Sequence, residues 1–271
     1  NYIDDELDSY ETIWDGEVTK TNQADHERVV KALKNIAEGN DLESYMDIDN
    51  LLRYMAVHVF SVNEDSLSGT MAHNYYLYES DGKLSLIPWD YNLALGGMGG
   101  MGGMGGMGGG RPGGSGETEE SSEATSVVNS PIDDAFSGTD FFDTLLENET
   151  YHSQYYDYLQ KLVSEYINGG GFDAFYERVR SQIDELVETD PTAFYSYDEY
   201  ETAAETLYQV VKLRGQSIQG QLDGTIPSTE EAQRDSDALI DASDLDVSVM
   251  GTMNMGGGDG KAPAKPQNES N

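Results

Sequence analysis

The 271-residue chain carries 51 aspartates and glutamates against 15 lysines and arginines, a formal net charge of −36. Such a surface repels nucleic acid, which is bound through cations that neutralise phosphates, and draws divalent cations and basic proteins; keeping an exported protein soluble is the plainer use of the same acidity. The lack of cysteine excludes disulfides, thiolate metal sites and cysteine nucleophiles, and no apolar run reaches the roughly 18–20 residues of a membrane span.

In chain order, the opening stretch YIDDELDSYETIWDG places Leu7, Tyr10, Ile13 and Trp14 three to four apart, which predicts a short amphipathic helix. Asp4 and Asp5 before it read as solvated first-turn carboxylates or, alternatively, as metal ligands. A helix over 22–38 follows, capped by Thr21 or Asn22, striped by Val29, Val30, Leu33, Ile36 and Ala37, and ended by Gly39. Another starts with Asp47 as N-cap and runs to about Ser61, turning Ile48, Leu51, Leu52, Met55, Val59 and Phe60 to the core. His58 on this helix reads as a buried histidine with its hydrogen bonds met rather than as a ligand.

The helix delivers the chain to the stretch from Asn63 to Gly97. Tyr75, Leu77, Leu84, Leu86 and Pro88 follow the two-residue period of half-buried strands, and Asp81-Gly82 between them is a hairpin turn. A hairpin brings its ends together, so Asn74 and Asp90 should be neighbours, with Asp65 within reach on the preceding loop. Phosphoryl transfer uses parts in this order: an aspartate that accepts the proton of an attacking hydroxyl, then an asparagine and a second aspartate that hold magnesium against nucleotide phosphates. Protein kinases string them in the same sequence, although the spacing here is looser (90 − 65 = 25 positions between the aspartates) and H-R-D and D-F-G are absent. His73, beside Asn74, either orients the loop or meets phosphate.

Beyond Asp90 the methionine–glycine repeat GGMGGMGGMGGMGGGRPGG runs into GSGETEESSEATSVV. Such a composition builds no packed core, which predicts a flexible insertion over 97–126, a lid, a tether or a neutral expansion. Ser121, Ser122, Thr125 and Ser126 are candidate autophosphorylation sites within it. Order resumes at 127–138, where Asp133 or Asp134 is a candidate for shaping the site or simply an exposed acid of a turn. Residues 139–224 read as helical: Thr139 caps a helix with Phe141, Phe142, Leu145 and Leu146; Tyr155 to Tyr166 form a stripe closed by Gly169-Gly170-Gly171; Phe172 to Val187 form another, ended before Pro191; Tyr197 to Leu222 form the longest. Their tyrosines recur at helical spacing and so predict core packing. Arg214 is placed either to turn a cation toward the site or to make a surface salt bridge. The span 231–271 drifts into a Gly, Pro and polar tail, read as disordered or a linker.

The segment HNYYLYESDGKLSLIPWDYNLALGG, preceded by VNEDS, resembles the core of the spore-coat protein H (CotH) kinase family. YIDDELDSYETIW, RYMAVHVFSVN and LRGQSIQGQLDGTIPS extend the resemblance over most of residues 1–230. It implies an α+β, mainly helical fold like the C-terminal lobe of an atypical protein kinase, with the hairpin carrying the metal-binding end of the site. It implies Asp65 as catalytic residue and Asp90 and Asn74 on Mg²⁺ (or Mn²⁺) with ATP as co-substrate, which puts Asn74 and its neighbour His73 among the candidate ATP-binding residues. The implied substrates are Ser/Thr residues of secreted, surface or spore-coat proteins, possibly basic and Ser-rich, and the implied location is extracellular, at the cell surface or in a spore coat. Some family members are surface ligands for host receptors, so a non-catalytic surface-binding protein is the alternative. A kinase also needs a strand-borne lysine and a phosphate-covering glycine loop. None of the eight lysines suits, and the methionine–glycine repeat follows the metal aspartate instead of opening a helix. The chain, which starts at Asn1, therefore reads as a fragment whose nucleotide-clamping part lies upstream.

Overall fold

The structure, a computed structural model, describes residues 2–63, 65–67, 73–97, 122–135 and 145–251. The expected helix at Thr139 to Phe142, the methionine–glycine repeat and the last twenty residues of the tail lie outside the described residues.

The N-terminal stretch forms a 3₁₀ turn at Leu7–Tyr10 and helix α1 at Glu11–Asp15. Asp5 is tied to Lys34 at 2.7 Å, and Asp4 accepts from the Ser9 hydroxyl and Glu6 N–H. Both are local structure, and no group of three or more His, Cys, Asp or Glu poised for a metal exists among the described residues. Helix α2 (Gln23–Ala37) begins at Asn22 with a reciprocal capping box through Asp25. After α3 (Leu42–Tyr45) comes α4 (Ile48–Ser61), whose cap Asp47 accepts from Asn50 N–H. Leu51, Leu52 and Met55 are wholly buried, each worth about 1.5–3 kcal/mol of hydrophobic stabilisation, so α4 is the axis of the core.

The hairpin lies on α4. Strands β1 (Tyr75–Ser80) and β2 (Lys83–Pro88) pair antiparallel, with Tyr75 opposite Pro88 and Ser80 opposite Lys83. The turn between them places Asp81 at φ 54° and Gly82 at φ 84°, the type I′ geometry an Asp-Gly pair favours. Leu84 and Leu86 enter the core, and Asp47 N–H donates to Leu84 O at 2.9 Å.

Helix α5 (Glu123–Val128) buries Ala124, Val127 and Val128. This corrects the C-terminal limit of the expected insertion, because an EATSVV turn with three apolar residues on one side finds core to bury. Ser122 caps this helix, and the Thr125 hydroxyl accepts from Ala242 N–H at 3.1 Å, so both hydroxyls serve structure. Residues following 230 are likewise ordered up to 251. Asn129 bonds both backbone groups of Ile240, and Ala242 and Val247 are core residues. Side chains far away in sequence hold a segment that composition alone assigns to a tail.

Helix α6 (Glu149–Lys161) continues into a π-helical turn at Leu162–Ile167 and then α7 (Gly171–Thr189) and α8 (Tyr197–Asp223). Tyr155 is core as expected, its hydroxyl donating to Ile132 O. The α7 stripe is not. Only Phe172 is buried, while Phe175, Ile183 and Leu186 are exposed, and so is Tyr166 before it. Polar links and the ring cluster of Phe172, Tyr176 and Tyr208 join α7 to the first half of α8. Arg180 pairs with Asp184 and Glu201, Tyr200 donates to Asp184, and Tyr208 and Lys212 donate to Asp173. The buried part of α8 starts at Thr206. There Gly215 lets the π-turn close in: a Cβ at that position would lie 2.7 Å from Ile167 Cγ2. Helix α9 (Glu230–Gln233) and a 3₁₀ turn at Val247–Met250 complete the described chain. No helix among the described residues is long and apolar enough to cross a membrane. The fold is thus mainly helical with one two-stranded antiparallel sheet, an α+β arrangement.

Candidate active site

The site is assembled by α4, which ends where the Asp65 loop begins, and by the hairpin, which ends where Asp90 begins. Ser61 O accepts from Leu95 N–H at 2.8 Å, tying the exit of the hairpin to the end of α4. Trp89 N–H donates to Asn74 O at 3.1 Å, so the residues flanking the hairpin meet as its geometry requires. Across the loop, the Asn74 amide donates to Asp65 Oδ2 at 2.7 Å. Asp65, Asn74 and the start of the Asp90 turn are therefore brought together.

Asp65 is the best-anchored of the group. Its N–H is held by Asn63 Oδ1 at 3.2 Å, its Oδ2 by Asn74, and its Oδ1 is buried without a hydrogen-bond partner among the described residues. A buried carboxylate oxygen left open is costly unless something meets it. His73 Nδ1 lies 3.7 Å from that Oδ1 on a mostly exposed ring, a distance that suits orientation of the loop. Asp90 is exposed and folds one carboxylate oxygen onto Asn92 N–H at 3.1 Å.

Backbone strain marks the same region. Val62, Asn74, Asp90 and Leu95 all have positive φ, between 46° and 57°. That conformation costs roughly 1–3 kcal/mol for residues with a Cβ, and a β-branched valine is among the least suited to it. All four stand at the borders of the loop or the hairpin exit, where helix end, strand end and turn must converge.

The sequence reading missed two supports. Asn63, almost fully buried, carries the Asp65 amide on its side-chain oxygen. The Tyr54 hydroxyl accepts from Leu67 N–H at 3.1 Å and so fixes the far side of the loop. An Asn or Tyr of this kind has no signature beyond its type, because its role depends on where a non-helical loop returns. His58 is buried as expected, stacked on Tyr54 at 3.8 Å with Nδ1 on Tyr54 O. Its Nε2 nevertheless has no partner among the described residues, and burial holds its pKa below the ordinary 6.5. Tyr91 beside it is pushed up to about 12 by burial.

Arg214 corrects both sequence expectations. It is neither at the site nor on the surface but fully buried, its guanidinium donating to Val59 O, Phe60 O, Val128 O and Ser130 O at 2.6–3.3 Å. It thereby holds the last turn of α4, immediately ahead of the Asp65 loop, against the end of α5. Asp133 and Asp134 are also committed elsewhere. Asp133 takes the Tyr156 hydroxyl at 2.9 Å and faces His152 at 3.5 Å, and Asp134 caps Glu230 N–H. The lysines Lys34 and Lys212 are engaged by Asp5 and Asp173.

The donor set at the hairpin consists of carboxylate and amide oxygens, which suits a hard cation such as Mg²⁺. That ion takes only one or two protein carboxylates when phosphates and water supply the rest. Asn74 spends its NH₂ on Asp65, leaving the amide oxygen, the atom a cation would use, outside that bond.

Comparison with known proteins adds a family. A family model described as CotH kinase protein matches residues 4–218, well over half of the chain. No curated protein matches it.

Proposed function

The chain belongs to the CotH kinase family, and from that premise we propose that it is the catalytic-loop and metal-binding portion of an atypical protein kinase. Its substrates in this reading are Ser/Thr hydroxyls of secreted, surface or spore-coat proteins, and its fold stands for a kinase C-terminal lobe. The observation that carries the reading is the Asp65 carboxylate. It is immobilised through one oxygen and the backbone, its other oxygen is buried with no hydrogen-bond partner among the described residues, and it stands beside a hairpin that returns Asp90 to Asn74.

In this reading Asp65 Oδ1 accepts the hydrogen bond, and then the proton, of the substrate hydroxyl as its oxygen attacks the γ-phosphorus of ATP and the bond to the β–γ bridging oxygen breaks. Asn74 holds Asp65 in the receiving orientation, and His73, 3.7 Å from its other oxygen, helps orient it. Asp90 and the Asn74 amide oxygen would hold Mg²⁺ or Mn²⁺, which neutralises phosphate charge when bound. The rigidity of the α4 end under Arg214, and of the loop under Tyr54 and Asn63, supplies the positioning on which phosphoryl transfer depends.

The exposed apolar residues of the α7–α8 arm, Leu186, Phe194 and Tyr195 among them, favour a second reading, a surface-binding protein of the same fold. The deciding experiment is ³²P transfer from ATP to a basic, Ser-rich protein with Mg²⁺ or Mn²⁺, using wild type and Asp90→Ala in this chain and in any longer parent. Transfer that is lost in Asp90→Ala supports the kinase. Folded protein with neither transfer nor nucleotide binding in any form supports the binding protein.

A further inference from the structure

The two edges of the hairpin are treated differently. The Trp89-to-Asn74 hydrogen bond and the strand register make 74/89, 76/87, 78/85 and 80/83 the pairs that exchange hydrogen bonds. The intervening residues turn their N–H and C=O groups away from the partner strand: Leu84 and Leu86 on β2, Tyr75, Leu77 and Glu79 on β1. On β2 the protein meets them itself. Leu84 O takes Asp47 N–H, and the Asn50 side chain bonds Leu86 N–H at 2.8 Å and Leu86 O at 3.1 Å, acting as a short surrogate strand. On β1, no hydrogen bond reaches the outward backbone groups of Tyr75, Leu77 and Glu79 among the described residues. An open edge is a template for another strand unless it is blunted.

The hairpin as a whole shows an apolar, mostly aromatic outer face, with Tyr76 and Tyr78 on β1, Ile87 on β2 and Trp89 just after it. Tyr76, Tyr78, Ile87 and Trp89 are all exposed, with Tyr76 and Trp89 rings 6.0 Å apart. Exposed Asp81 stands at the turn end of β1 and exposed Asp90 near its other end. Arg28, which reaches β1 at Glu79, is consumed by Glu79 and Asp25. Open backbone groups, aromatic rings and flanking carboxylates on a chain of net charge −36 together suit an extended cationic segment, whose lysines or arginines alternate onto the rings.

We propose that the free edge of β1 captures an extended lysine- or arginine-bearing peptide by strand addition and leads it to the Asp65–Asn74–Asp90 end of the hairpin. The proposal rests on the kinase reading in naming its substrate class, but docking is measured without nucleotide, so the two fail separately.

The probe is an alternating Lys-Ser peptide of the strand's own six-residue length, with two analogues: one N-methylated on alternate residues, one with Glu for Lys. Binding is followed by calorimetry and by amide hydrogen exchange. The expected result is new protection at Tyr75, Leu77 and Glu79, about tenfold weaker binding of the N-methylated peptide, and none of the acidic one. Tyr76→Ala and Tyr78→Ala, exposed and outside the core, should each weaken binding roughly two- to fivefold. The proposal is overturned if the N-methylated peptide binds as well as its parent, if β1 gains no protection, or if those three amides are already protected in the free protein. Phosphoryl transfer without edge protection removes strand addition and leaves the kinase; protection without transfer does the reverse.

Discussion

Replacing Arg214 tests whether hydrogen bonding or charge keeps a cation in the core. Burial lowers its pKa from 12.5 to about 9. At about 1.36 kcal/mol per pH unit, holding the charged form there costs about 5 kcal/mol. Against that stand four bonds from a charged donor to carbonyls, at roughly 1.5–3 kcal/mol each, so the bonds win by about 1–7 kcal/mol. Arg214→Met removes both the cost and the bonds. Val59 O keeps Val62 N–H and Ser130 O keeps the Gln221 amide, whereas Phe60 O and Val128 O lose the guanidinium that meets them. Two deprived carbonyls at about 1–3 kcal/mol each give an expected loss of about 2–6 kcal/mol. Arg214→Lys should be no better than Met, because it keeps the buried charge while a single ammonium cannot reach carbonyls on both helix ends. Urea denaturation followed by circular dichroism gives both numbers. A lysine variant as stable as wild type would refute the hydrogen-bonding account, and a neutral methionine variant would show that the four bonds contribute nothing net.

Removing the surrogate strand by Asn50→Ala leaves both backbone groups of buried Leu86 unpaired; the expected cost is about 2 kcal/mol, with faster amide exchange at Leu86 and little change at Tyr76. Gly215→Ala trades a better helix residue for a Cβ at 2.7 Å from Ile167 Cγ2, so thermal unfolding should show a net loss of about 1–2 kcal/mol. His58 has its pKa lowered by burial. The unfolded chain therefore binds the proton first, and stability falls as pH drops below 6.5. His58→Phe removes that proton site, so the stability difference, wild type minus variant, should shift against wild type on acidification, and a difference independent of pH would contradict the buried neutral imidazole.

The local pieces were legible because their causes are local. Asn22 and Asp47 cap helices through N–H groups two or three residues on, and Asp81-Gly82 turns because both residues tolerate positive φ. Once the hairpin was read, the meeting of Asn74 with the Asp90 turn followed, since a register counts residues and needs no tertiary knowledge. The approach of Asp65 to Asn74 was also foreseeable in outline, nine residues of loop being enough to return.

What tertiary structure alone decided is which groups are paid attention by distant backbone. Arg214 reads on a helical wheel as any surface cation, and only carbonyls 84 to 155 residues away make it a buried one. Asn63 and Tyr54 become supports of the loop because the chain comes back across them. The α7 stripe has the period of a core helix yet is largely exposed beyond Phe172 and Tyr176, because periodicity reports which side is apolar and not whether another element arrives to cover it. The segment to 251 runs the other way: its composition suggests a tail, and Asn129, Thr125 and α8 give it a place. By itself the sequence determined the long helices, the hairpin and the order of Asp65, Asn74 and Asp90. Burial, pairing and strain at that site were decided by contacts between segments far apart in the chain, which no local pattern encodes.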